Sequence, residues 1–248
     1  THALVDRLRE QFIHDTNPDV LAFHEGFADI VAIFQHFTFR SILAETIQKT
    51  RGNLRSRNVL GSLAQQFGYA TGSGRALRET LQEEKPDPTL YQKLSEPHER
   101  GSVLVAAVFD AFFDVYQARI QDLVRIATSG TGRLPEGDLH PDLVNRIAAE
   151  ASKTARNVLN MCIRAFEYLP PVDVTFSDYL RALITADFET VPADERGLRA
   201  AMIESFRARG IHMPGVVSLA EESLLWEPPD TPLKLRSEEH TSELLSPI

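Results

Sequence analysis

The chain has 248 residues, of which 43% are hydrophobic and 25% charged, enough apolar material for a sizeable core. Its net charge of −9 argues against nucleic acid or an anionic membrane as the main partner, since both need clustered Lys and Arg. No apolar run approaches the ~20 residues that cross a bilayer, and a single cysteine, Cys162, excludes an internal disulfide.

Residues 2–13 read as a helix, with Leu4, Val5, Leu8 and Phe12 at helical spacing. A turn at Asp15, Asn17 and Pro18 leads into a second helix that runs to about residue 37, and a third covers residues 42–49. Residues 50–58, with Arg51, Arg55 and Arg57, read as an exposed basic loop, and residues 60–67 as a short helix. Residues 68–97 carry Gly72, Gly74, Pro86, Pro88 and Pro97 and read as a long ordered loop, of the kind that usually has a function. Residues 101–128 are apolar almost all round at helical spacing, from Val103 through Phe109 and Phe112 to Ile126, the pattern of a buried central helix. A break at Gly130, Gly132, Pro135 and Gly137 precedes a long helix over 141–168, which holds Cys162 as a small buried hydrophobe. Thr175 or Ser177 caps a helix through residue 188, and residues 195–209 form the last. No segment alternates with period two, so the expected class is all-α.

The organisation expected is a helical domain over residues 1–210, followed by an extended surface segment over 211–235 marked by Pro214, Pro228, Pro229 and Pro232. Residues 236–248, beginning Arg236-Ser237-Glu238-Glu239-His240-Thr241, read like the translation of a sequencing-library adapter. They are set aside as a cloning or assembly scar.

The stretch Phe23-His24-Glu25-Gly26-Phe27-Ala28-Asp29-Ile30-Val31 carries the chemistry. Glu25 and Asp29, at i and i+4, share one face of a largely apolar helix, where unpaired acids are costly. A metal ion accounts for both, with Glu25 as ligand and Asp29 as the acceptor that orients a ligand histidine. His2, in the run His2-Ala3-Leu4-Val5, is the histidine that fits. Were the residues before Thr1 His-Glu-x, the chain would open on His-Glu-x-Thr-His, the zinc-protease helix. The competing account, an amphipathic helix with two ordinary acids, leaves the spacing of His2 unexplained.

This stretch resembles the third-ligand helix of the thermolysin-like zinc metallopeptidases, whose pattern is Asn-Glu-x-x-x-Asp. His24 stands where that family usually has Asn. The 23-residue step from His2 to Glu25 is close to the family's step from its second histidine to its glutamate. Gly74-Arg75-Ala76-Leu77-Arg78, followed by Pro86-Asp87-Pro88, is similar to the family's Leu-Arg segment and Asp-Pro-rich loop, which implies that Arg78 holds substrate carbonyl oxygens. His98-Glu99-Arg100-Gly101-Ser102 resembles the segment whose histidine stabilises the oxyanion, a role implied for His98. Its 73-residue distance from Glu25 is longer than usual, as an enlarged loop at 50–97 would make it. The segments at 165–171 and 175–182 resemble the family's closing helices, so the likeness runs from about residue 1 to 190.

The resemblance implies the helical C-terminal half of a zinc peptidase that acts on peptide or protein substrates, with His2 and Glu25 on Zn2+. The first histidine and the general-base glutamate are then expected before Thr1, and without them the chain is expected to be inactive and to bind zinc poorly. The alternative is a non-catalytic helical binding or scaffold protein with a protease-like fold. The absence of disulfides and of calcium-loop motifs leans towards an intracellular enzyme. His14, His36, His140 and His212 have no ligand spacing; His36 lies two turns beyond Asp29, about 10 Å along the helix.

Overall fold

A computed structural model of the chain describes residues 1–55, 81, 85–134, 136–216 and 220–226, with the side chains of Leu4 and Asp6 left out. The described residues are all-α, with no strand among them. The order is α1 (His2–Leu8), a 3-10 turn (Glu10–Ile13), α2 (Pro18–Phe37), α3 (Arg40–Thr50) and α4 (Leu90–Lys93). The longest helix, α5 (Pro97–Ala127), follows, then α6 (Pro141–Ala165) with a 3-10 turn (Phe166–Tyr168). The chain continues through α7 (Phe176–Thr190), α8 (Leu198–Ala208) and the short α9 (Glu221–Leu224). Arg78, the expected helix at 60–67 and the proposed scar lie outside the described residues.

Local chemistry sets the starts of the long helices. Pro18, Pro97 and Pro141 each open a helix, where the missing N–H costs nothing. The Asn17 side chain accepts from the Asp19 N–H at 2.7 Å, and Glu96 accepts from the Glu99 N–H at 2.7 Å. Thr175 and Asp178 form a reciprocal capping box at α7, so Thr175 is the cap. The expected single helix over 2–13 is broken, because α1 stops at Leu8 and re-forms as the 3-10 turn that seats Phe12 in the core. The helix expected over 141–168 ends as α-helix at Ala165.

The core centres on α5, which packs most extensively against α2, α8 and α6. From Arg100 to Phe112 it is buried on every side, as its all-round apolar sequence implies. Phe34 of α2 meets Phe112 edge-on, and Phe37 stacks on Phe112 and lies tilted against Phe109. Phe23, Phe27, Phe166 and Tyr179 form a second aromatic cluster nearer the chain start. Cys162 is fully buried, as expected.

The described part of the basic segment at 50–58 is not an exposed loop. Helix α3 ends on left-handed Arg51 and Gly52 (φ 56° and 84°), and the Gly52 carbonyl accepts from the Tyr116 hydroxyl at 2.8 Å. Leu54 is buried, and Arg55 reaches Asp110 of α5 at 2.5 Å while lying over the Phe113 ring. The physical reason is Asp110 itself: a carboxylate inside the central helix needs cations, and Arg55 and Arg209 (2.6 Å) supply them. Of residues 68–97, the described part from 85 on contains the short helix α4. Among the described residues no single helix is long and apolar enough to cross a membrane. The bent pair α2–α3 meets the criterion only when its two helices are taken together, and most of α2 is buried in the core.

Candidate metal centre

Two helix crossings build the site. Helix α2 presents His24, Glu25 and Asp29, and α1 lies across it with His2 at its first position. Helix α5 meets α2 where Gly26 faces Gly101. A Cβ on Gly26 would stand 2.9 Å from the Gly101 carbonyl oxygen, so the two backbones are in contact. That contact sets the start of α5, and with it His98, beside Glu25.

The Glu25 carboxylate is the hub. Its Oε2 lies 3.7 Å from His2 Nε2 and 3.6 Å from His98 Nδ1, and its side chain is about one-quarter exposed (26%). His98 Nδ1 is itself buried, with no hydrogen-bond partner among the described residues. On the other side, His2 Nδ1 lies 2.9 Å from His24 Nδ1, with the two rings stacked at 4.7 Å between centroids. Asp29, one turn after Glu25, is half-buried. Burial, then the neighbouring Glu25 charge, push its carboxyl up from 3.8 to about 6, against the opposing pull of His98.

The structure therefore brings together His2, Glu25, Asp29 and His98, four of the five residues singled out in the sequence. The fifth, Arg78, lies outside the described residues. His36 stays out of the cluster, further along α2, with its ring against Phe37. His24 is the residue that sequence reasoning passed over. Neighbours on a helix point about 100° apart, so His24 does not share the face of Glu25, and only α1 lying over α2 brings His2 against it. The signal available was His24 in the place where the resembled pattern has Asn.

This donor set fits a borderline divalent cation such as zinc. One donor atom each from His2, His24 and Glu25 lies within 4.8 Å of the other two. The 3.7 Å between His2 Nε2 and Glu25 Oε2 is near the roughly 3.4 Å that two ligands keep across a tetrahedral zinc. The buried His98 Nδ1 adds a polar atom facing the same carboxylate.

A buried knot holds the start of α5 in place. Asp19 Oδ1 accepts from Arg100 Nε at 2.5 Å, and its Oδ2 accepts from the Tyr91 hydroxyl at 2.5 Å and the Phe176 N–H at 2.9 Å. Arg100 also donates to the Tyr91 and Leu94 carbonyls. The first turns of α2, α5 and α7 are thereby tied to one carboxylate, two residues from His98. Comparison of the chain with models of known protein families, with curated proteins and with solved structures finds no match in any of the three.

Proposed function

We propose that this chain is part of a zinc-dependent metallopeptidase of thermolysin-like type, the helical portion that holds the metal and stabilises charge on the substrate. The observation that carries the reading is the convergence of His2, Glu25 and His98, from three separate segments, within 3.7 Å of one carboxylate oxygen. Surface acids and histidines meet by chance, but this group also includes a buried imidazole nitrogen with no hydrogen-bond partner among the described residues and lies at a glycine-to-glycine helix contact.

Zinc, when bound, supplies a Lewis acid that polarises a peptide carbonyl and makes water acidic enough to attack near neutral pH. The chain's own residues do the rest. Glu25 and His2 would hold the cation, with Glu25 Oε2 and His2 Nε2 already facing one another at 3.7 Å. Asp29 accepts a hydrogen bond from a ligand imidazole and so fixes its orientation. His98, at the first turn of α5, donates to the carbonyl oxygen as negative charge develops there, a contribution on the order of a few kcal/mol of barrier. Arg78 is assigned to substrate carbonyl oxygens by the resemblance. The reading places a further histidine and the general-base glutamate in a His-Glu-x sequence before Thr1.

The test is a chain extended by the residues encoded before Thr1. It is expected to retain one zinc and to hydrolyse a protein substrate such as casein, and Glu25→Gln to lose both. An extended chain that lacks His-Glu-x, or a Glu25→Gln protein that keeps zinc and activity, removes the peptidase reading.

A further inference from the structure

We infer that His24 is a positioning residue for the metal site: its Nδ1 accepts the Nδ1–H proton of His2, which fixes His2 as the tautomer whose bare Nε2 faces Glu25. The inference rests on the reading of His2 and Glu25 as metal ligands and adds a role that the reading does not contain.

The argument is an accounting of one proton. The two Nδ1 atoms are 2.9 Å apart, hydrogen-bond distance, so one of them carries the shared hydrogen. If His24 were the donor, neutral His2 would carry its own proton on Nε2. That N–H would point towards Glu25 Oε2 at 3.7 Å, beyond hydrogen-bond reach, and would occupy the lone pair a cation needs. If His2 is the donor, its Nδ1–H is satisfied by His24, and its Nε2 lone pair is left on the Glu25 side. Only the second allocation makes both nitrogens of His2 useful. The ring stacking, at 4.7 Å and 27° between planes, holds the pair in register.

The same geometry argues against the two Nδ1 atoms as joint ligands. Coordination through both Nδ1 atoms would need them about 3.3 Å apart around a tetrahedral zinc, wider than the 2.9 Å observed. It would also turn His2 Nε2 from ligand to bystander beside Glu25. A ligand histidine usually donates its other ring N–H to an acceptor, and removing such an acceptor commonly lowers metal affinity about 10- to 100-fold. His24 fills that place with an imidazole nitrogen.

Two measurements test this, the first on the tag-free 248-residue chain and the second on the chain extended by the residues encoded before Thr1. Long-range proton–nitrogen correlation spectra of the metal-free, histidine-labelled protein at pH 8 are expected to show His2 protonated on Nδ1 and bare on Nε2. A His2 protonated on Nε2 overturns the inference, whatever zinc does. Calorimetric titration with zinc alone is expected to show His24→Ala weakened at least tenfold. His24→Asn, whose carbonyl can still accept, is expected to recover most of the loss. His24→Ala binding like wild type overturns the inference, and so does His24→Asn falling as far as His24→Ala, which would make His24 itself a ligand. Glu25→Gln separates the two claims. Undiminished zinc binding in that variant defeats the metallopeptidase reading while leaving the His2 tautomer result standing.

Discussion

Gly26 on α2 and Gly101 on α5 touch backbone to backbone. A Cβ on Gly101 would stand 2.8 Å from the Ala22 carbonyl oxygen and 3.1 Å from the Gly26 nitrogen, in a place where no flexible side chain could give way. This crossing brings the first turn of α5 beside Glu25, so it is a condition of the site as well as of the fold.

Gly101→Val is therefore expected to force α5 away from α2. Overpacking of this kind costs roughly 1–3 kcal/mol, and a clash with backbone belongs at the upper end. For a chain of this size that lowers the thermal midpoint by about 6–12 °C. Circular dichroism melting measures it.

The carboxyl of Asp29 gives the protein a pH signature. Its folded-state value is about 6 against 3.8 in the unfolded chain, chiefly because burial disfavours the charged form. The folded state thus holds a proton that the unfolded state releases, and stability falls as pH rises from about 4 to about 6. Asp29→Asn removes the penalty. In the presence of a chelator, the variant is expected to be more stable than wild type above pH 7, by an amount on the order of 1–2 kcal/mol after solvent screening. The two should converge near pH 4, as chemical denaturation across that range would show.

Asp19→Ala strips the acceptor from Arg100, Tyr91 and the Phe176 N–H at once. Leaving a buried guanidinium without its carboxylate costs about 3–5 kcal/mol. The urea midpoint is expected to drop by about 1 M or more. Because the same knot fixes the start of α5, zinc binding by the surviving folded fraction should weaken too.

Cys162 is expected to be inert in the folded protein. Burial pushes its thiol up to about 12, and it is fully enclosed between α6 and α7. Ellman's reagent at pH 8 should titrate no thiol in the native chain and one after addition of urea.

Much of the fold was legible because local rules and global packing agree. The all-round apolar run in α5, the prolines that open α2, α5 and α6, and the Thr175–Asp178 cap are each local signals. The break at Leu8 and the turning of Arg55 onto Asp110 were not legible, because each answers a tertiary demand: seating Phe12 and neutralising Asp110. The site divides the same way. Glu25 and Asp29 share a face by helix periodicity, and His2 and His98 were reached through spacing and resemblance. The His2–His24 contact depends on α1 crossing α2 and has no expression in sequence separation.

The most direct test of the central claim is to locate zinc itself, by anomalous diffraction at the zinc edge from crystals, grown with the metal, of the chain extended by the residues encoded before Thr1. The account predicts one ion bonded to Glu25 Oε2 and His2 Nε2 at about 2.0–2.2 Å, with His24 against the far side of the His2 ring and His98 facing the open coordination position. An ion bound elsewhere, or no ion at the Glu25 carboxylate under saturating zinc, would contradict it.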